Sequence, residues 1–207
     1  MPHAHTPADR PSSGGTTVWL TGLPSAGKTT IATLAAERFA GLGRPVEVLD
    51  GDELRRTLCA ELGFSPTDRD TNVRRIGFVA QLLARNGIVV LVPVIAPYAR
   101  SRAAVARHHA DRGTGYLEVF VDAPVAVCER RDVKGLYARQ RAGEIRGLTG
   151  VDDPYESPAR SDLHLRTDRD SADRCASAVV TLVMSAAVSA REGRAADVHE
   201  EHPMSGG

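Results

Sequence analysis

Gly22-Leu23-Pro24-Ser25-Ala26-Gly27-Lys28-Thr29-Thr30 fits the pattern GxxxxGK[ST], and this stretch decides the fold. A short β-rich run, Thr16 to Gly22, leads into it. An alanine- and leucine-rich segment, Thr30 to Ala40, follows and reads as a helix. Strand, glycine loop and helix in this order make a cradle for phosphates. The glycines let backbone N–H groups turn inward, and the positive end of the helix faces the same point. The stretch from Gly22 to Thr30 is therefore expected to wrap the phosphates of a nucleotide such as ATP. Lys28 supplies a point charge to the β- and γ-phosphates, and the Thr29 hydroxyl is placed to ligate Mg²⁺.

Outward from the loop, strand-like and helix-like segments alternate. Pro45 to Asp52 reads as a second strand ending in acids, and Glu53 to Leu62 as a short helix. A longer helix opens at Ser65-Pro66 and runs to about Arg85, with Val73, Ile76, Val79, Ala80 and Leu83 at helical spacing. Ile88 to Ile95 is continuously apolar, as in a strand covered on both faces. Arg100 to Asp111 is helical, Tyr116 to Val121 a strand, Pro124 to Arg131 a short helix, Leu163 to Thr167 a last strand and Ala172 to Ala190 a last helix. This alternation predicts an α/β fold, a parallel sheet with helices on both faces.

Composition bounds the function. The 207 residues suit one domain, and a formal net charge of zero gives no bulk attraction to nucleic acid or to an anionic membrane. The longest apolar run, Ile88 to Pro97, is too short to cross a bilayer. Cys59, Cys128 and Cys175 are far apart with no CxxC pair, so they read as buried small hydrophobes in a reducing, cytoplasmic setting. Residues 1–15 read as a disordered leader, 16–190 as the domain, and 191–207 as a disordered tail. Only two of the 26 basic side chains are lysines, Lys28 and Lys134. In a chain that favours arginine so strongly, a retained lysine points to a need for a compact ammonium.

Three further segments carry candidate chemistry. The second strand ends in Asp50-Gly51-Asp52, where ligands of parallel sheets gather. The two carboxylates there suit metal-bound water or an incoming hydroxyl, and Asp52 could equally serve as a helix N-cap. Ser65, Pro66 and Asp68 form a capping-box start, but the fourth helical residue is Arg69, so Phe64 lacks its usual apolar staple partner. Phe64 either packs elsewhere in the core or offers its ring to a ligand. Arg69, Asn72 and Arg75 share one side of that helix and suit an anion. Val133 to Pro158 is basic and glycine-rich with little that could form a core; it reads as a mobile lid closing on phosphates.

Taken together, GLPSAGKTT, LDGDELR, LGFSPTDRDTNVRRIG, IAPY, EVFVDAP, CERRDVKGLYARQRAGEIRGLTG and DDPYE resemble the adenylylsulfate kinase (APS kinase) family, in its order and spacing, from about Thr17 to Thr167. The resemblance implies a three-layer P-loop kinase fold with five parallel strands, usually homodimeric. It implies transfer of the ATP γ-phosphate, with Mg²⁺, to the 3′-hydroxyl of adenosine 5′-phosphosulfate (APS), giving PAPS, and a functional link to ATP sulfurylase. By matching position, Arg55, Phe64, Arg69, Asn72, Ile95, Ala96, Lys134, Gly135, Leu136 and Leu148 would line the APS side, with Phe64 stacked on adenine. Asp50 and Asp52 would serve the metal and the attacking hydroxyl, and Arg131 would lie near the ATP base.

Two positions depart from the family pattern. Ala96 stands where a serine is frequent, so a phosphoserine intermediate is impossible there. Leu148 stands where an aromatic residue is frequent and covers a ring face without stacking. The competing expectations are a P-loop kinase for another small hydroxyl acceptor (a nucleoside, a sugar acid or an antibiotic) and an inactive nucleotide-binding regulator.

Overall fold

The computed structural model describes residues 14–200. Five strands, β1 (Thr16–Thr21), β2 (Val46–Val48), β3 (Val89–Pro93), β4 (Gly115–Asp122) and β5 (Leu163–Arg166), form one sheet in the order β2-β3-β1-β4-β5, with every pairing parallel. Helices α1 (Lys28–Gly41), α2 (Gly51–Thr57), α3 (Pro66–Ala84), α4 (Ala99–Ala110), α5 (Val125–Arg131), α6 (Leu136–Arg141) and α7 (Ala172–Glu200) complete the chain. The expected α/β layering is the architecture found.

Period-two alternation along β1 sorts its side chains between two cores. Val18 and Leu20 join Leu91, Val119 and Val121 under Ile31, Ala35 and Phe39 of α1 and Val179 and Val183 of α7. Trp19 points the other way, with Val90 and Val92, under Ile76 and Ala80 of α3 and Val105 of α4. All five residues of β3 are buried, which accounts for its unbroken apolar run. The three cysteines are all buried and free.

The boundary that departs furthest from the sequence reading is at the C-terminal end. Helix α7 continues to Glu200 rather than ending at Ala190. Arg191 to Glu200 holds a single helix breaker, Gly193, among good helix formers, so propensity favours continuation. Residues 1–13 and 201–207, the bulk of the expected leader and the end of the expected tail, lie outside the described residues. Within α7, Ala172–Ser189 is also long and apolar enough to span a bilayer by length and composition, which the sequence reading overlooked. Its Cys175, Ala176, Val179 and Val183 are buried in the core of the domain.

The segment from Val133 to Pro158, read as having little that could form a core, contributes buried residues to it. It contains α6, and Tyr137, Leu148 and Thr149 in it are buried. Side-chain-to-backbone hydrogen bonds hold it. Asp132 accepts from the N–H groups of Tyr137 and Ala138, and Asp152 accepts from those of Gly147 and Leu148. A census of glycines and arginines does not register such bonds.

Close helix packing on the α3–α4 side rests on Gly77. A Cβ there would lie 2.7 and 2.8 Å from the two methyl groups of Val105. Alanine gains about 1 kcal/mol in helix propensity, whereas forcing apart a branched, stiff neighbour costs about 1–3 kcal/mol. Gly77→Ala is expected to destabilise the domain by roughly 1 kcal/mol net. A lower urea midpoint with an unchanged m-value checks this; a raised midpoint would refute it.

Candidate functional site

Every strand delivers something at its carboxyl end, and these ends lie along one edge of the sheet. After β1 comes the glycine loop. Gly22 packs so closely on β4 that a Cβ would sit 2.2 Å from the Val121 carbonyl oxygen. Ser25 (φ 58°) and Gly27 (φ 103°) are both left-handed, which turns successive N–H groups toward one point. Gly27 starts α1 with no side-chain cap, so the first-turn N–H groups of the helix are left for an anion.

Lys28 lies at the centre of this loop, 8% exposed, donating to the carbonyls of Gly22 (2.9 Å) and Leu23 (2.6 Å). Burial pulls its ammonium down to about 7; the Lys134 charge acts in the same direction and Cys128 opposes. The loop is braced from two sides. Thr167, just past β5, donates to the Ala26 carbonyl (2.8 Å), and Arg131 donates to the Thr167 hydroxyl (3.1 Å) and carbonyl (2.6 Å). The Tyr137 hydroxyl donates to the Pro24 carbonyl (3.1 Å). Tyr137 and Thr167 were not singled out in the sequence, although the rule about strand ends already marks Thr167.

After β2, Asp50 caps α2: Oδ1 accepts from the N–H groups of Asp52 (2.9 Å) and Glu53 (3.2 Å). The sequence leaves Asp52 open as a helix N-cap; in the structure the cap is Asp50, because the helix begins one residue after it. Its Oδ2 faces the Thr29 hydroxyl at 3.5 Å. Two hard oxygen donors at a phosphate loop fit Mg²⁺, which keeps most of its other ligands as water and phosphate. No group of three or more His, Cys, Asp or Glu side chains forms a protein-only metal cluster among the described residues. Asp52 forms an ion pair with Lys134 across the mouth of the site, both side chains being more than half exposed. Such a pair is worth only about 0.2–1 kcal/mol and opens readily for a competing anion. Gly135 (φ 65°) caps α6, and Leu136 packs on the core beside it.

The opposite wall is built from α2, α3 and the lid. Phe64 is 66% exposed, so its ring does not pack in the core. The Arg55 guanidinium lies over the ring at 4.6 Å from its centroid and that of Arg69 at 5.8 Å. Burial and then the Arg69 charge hold the Arg55 pKa below its usual range, so an anion nearby relieves both. The three residues expected to share one anion-binding side diverge. Arg69 is buried and committed to protein: it donates to the Phe64 carbonyl (2.9 Å), Thr149 hydroxyl (3.0 Å) and Gly147 carbonyl (2.6 Å), and pairs with Asp153 (3.2 Å). Arg75 turns to Glu61 and the Leu58 carbonyl. Asn72 Oδ1 is buried and has no hydrogen-bond partner among the described residues. Leu148 is packed with the core in this state. After β3, the Ile95 carbonyl accepts from the Thr21 hydroxyl (2.6 Å), and Ala96 is left-handed at φ 43°.

The adenylylsulphate kinase family model matches residues 14–166 of this geometry. The chain belongs to the adenylylsulphate kinase family. A probable adenylyl-sulfate kinase of Synechocystis is 56% identical over 159 residues, covering 77% of this chain and 88% of its own. The adenylyl-sulfate kinase of Deinococcus deserti is 55% identical, covering 76% and 84%. The Mycobacterium tuberculosis APS kinase CysC, solved in complex with AMPPNP and APS, is 49% identical with a TM-score of 0.80, over 83% of this chain and 98% of that one. A Sinorhizobium meliloti gluconokinase matches over 92% and 99% with a TM-score of 0.54 at 18% identity, a likeness of fold alone.

In this kinase the Lys28 pKa of about 7 has a consequence for nucleotide binding. A neighbouring polyphosphate favours the charged ammonium, so binding raises the pKa and takes up a proton. At pH 8 the free protein is mostly neutral at Lys28, and uptake is about 0.9 proton per ATP analogue bound; at pH 6 it is about 0.1. Calorimetry in buffers of different ionisation enthalpy reads this number. Uptake that persists unchanged in Lys28→Ala would assign the proton elsewhere.

Proposed function

We propose that the protein transfers the γ-phosphate of ATP to the 3′-hydroxyl of APS, producing PAPS. The observation that carries the reading is the open Phe64 ring, between α2 and α3, with two guanidinium groups over it. A cation-backed aromatic face suits an anionic nucleotide better than a sugar. Its adenine stacks on Phe64, and an amino group can satisfy the orphaned Asn72 oxygen.

Phosphoryl transfer asks mainly for position and charge neutralisation. Lys28 exchanges its loop carbonyls for β- and γ-phosphate oxygens. The N–H groups of Gly27 to Thr30 and the start of α1 hold the same oxygens. Asp50 and Asp52 orient the acceptor hydroxyl and receive its proton. Lys134, released from Asp52, moves onto the transferring group. Arg131 lies by the ATP base, and Arg55 meets the acceptor's anionic end. Mg²⁺, when bound at Thr29 and Asp50, neutralises phosphate charge. Ala96 has no hydroxyl, so transfer is direct. The same reading places the enzyme in the cytoplasm as a homodimer, working after an ATP sulfurylase.

Two measurements test this. Purified protein with ATP, Mg²⁺ and APS is expected to yield PAPS and ADP one to one; turnover on a sugar acid but not on APS would overturn the assignment. Phe64→Ala removes a stacking face worth about 1–3 kcal/mol, so KM for APS is expected to rise about tenfold or more while the affinity for an ATP analogue stays within twofold. Equal losses for both ligands would remove Phe64 from acceptor recognition.

A further inference from the structure

Behind the acceptor wall lies an arginine that the reading so far does not use. Arg102, on α4, is 2% exposed, and all three of its nitrogen atoms are engaged. Nε donates to Glu118 Oε1 (2.7 Å), Nη1 to the Ala96 carbonyl (2.8 Å) and Nη2 to the Glu156 carbonyl (2.7 Å). The last two bonds tie together segments 60 residues apart in sequence: the strap after β3 and the returning limb of the lid. Their contact is mutual. The Glu156 N–H donates to the Pro97 carbonyl (2.9 Å), the Glu156 carboxylate accepts from the Ala99 N–H (2.7 Å), and the Tyr155 hydroxyl meets that of Thr21 (3.0 Å).

The strap is strained where Arg102 holds it. Ala96 has φ 43°, a region that costs an L-residue roughly 1–2 kcal/mol and that persists only when surroundings impose it. The imposed contacts are the Thr21 bond to the Ile95 carbonyl on one side and the Arg102 bond to the Ala96 carbonyl on the other.

We propose that Arg102 is a positioning residue for the acceptor: its guanidinium fork fixes the left-handed turn at Ala96 and locks the strap to the root of the lid. Arg102 touches neither substrate. It acts through Ile95 and Ala96, which rests on the reading of that strap as part of the acceptor site. A planar fork with fixed divergence is what holds two carbonyls at once; a lysine keeps the charge beside Glu118 and loses one of the two bonds.

The test is a split between substrates combined with a rescue. In Arg102→Lys, KM for APS is expected to rise about tenfold, while the dissociation constant of a non-hydrolysable ATP analogue stays within twofold. Adding Ala96→Gly to that variant is expected to recover at least threefold in KM for APS, because glycine enters the left-handed region without a fork to hold it. A purely structural arginine would weaken both ligands together and would gain nothing from the glycine; either result overturns the inference. Should Arg102→Lys not fold, Glu118→Gln loosens the same guanidinium more gently. A rise of about threefold in KM for APS alone supports the role, and an unchanged KM refutes it. Wild-type protein that makes no PAPS overturns the reading of the acceptor site itself, a result distinct from wild-type turnover with unshifted variants.

Discussion

A buried ammonium at the carboxyl edge of a parallel sheet is the constraint around which this site is arranged. Removing Lys28 from water costs several kcal/mol unless oxygen atoms replace its hydration. Two carbonyls of the glycine loop do so in part, and the depressed pKa shows that the compensation is incomplete. In the proposed reaction, phosphate oxygens would complete it. The loop can curl that tightly because Gly22 leaves room for the Val121 carbonyl and because Ser25 and Gly27 accept left-handed backbone. Bracing by Thr167, Arg131 and Tyr137 keeps the curl in place. The chemistry thus depends on residues from β4, β5 and the lid as much as on the loop itself.

The segment from Val133 to Pro158 is fastened to the rest of the domain at several points. Tyr137 fastens it to the phosphate loop, Arg69 to the start of α3, and Glu156 to the strap after β3. Only the Lys134–Asp52 pair among these contacts is exposed and weak. That pair is therefore the contact of the segment that opens at the least cost.

Much of this was legible in the sequence, for identifiable reasons. The phosphate loop is read from spacing because its function needs glycines at fixed places. The sheet is read from alternation of strand and helix segments, and the Ser65–Asp68 helix start from local hydrogen bonds that involve neighbours only. What escaped depends on contacts across long stretches of chain. Arg69 reads as part of an anion-binding helix face, and its contacts with Thr149, Gly147 and Asp153, roughly 80 residues later, lie beyond any local pattern. The buried Tyr137 sits in a run of glycine and arginine with no periodicity to betray a core. Asp50 and Asp52 differ by two positions, and only the register of α2 decides which of them caps it.

The scarcity of lysine gains a physical meaning from these contacts. Arg69, Arg102 and Arg131 each hold acceptors on two different segments, a task for a rigid, multiply donating plane. Lys28 and Lys134, the two lysines of the chain, are instead placed where the proposed reaction has a cation exchange partners: carbonyls for phosphate in one case, the Asp52 carboxylate for phosphate in the other. A compact, freely rotating ammonium on a flexible stem makes that exchange without breaking a planar arrangement of several bonds. Arginine therefore sets the geometry of this site, and lysine supplies the charge that moves within it.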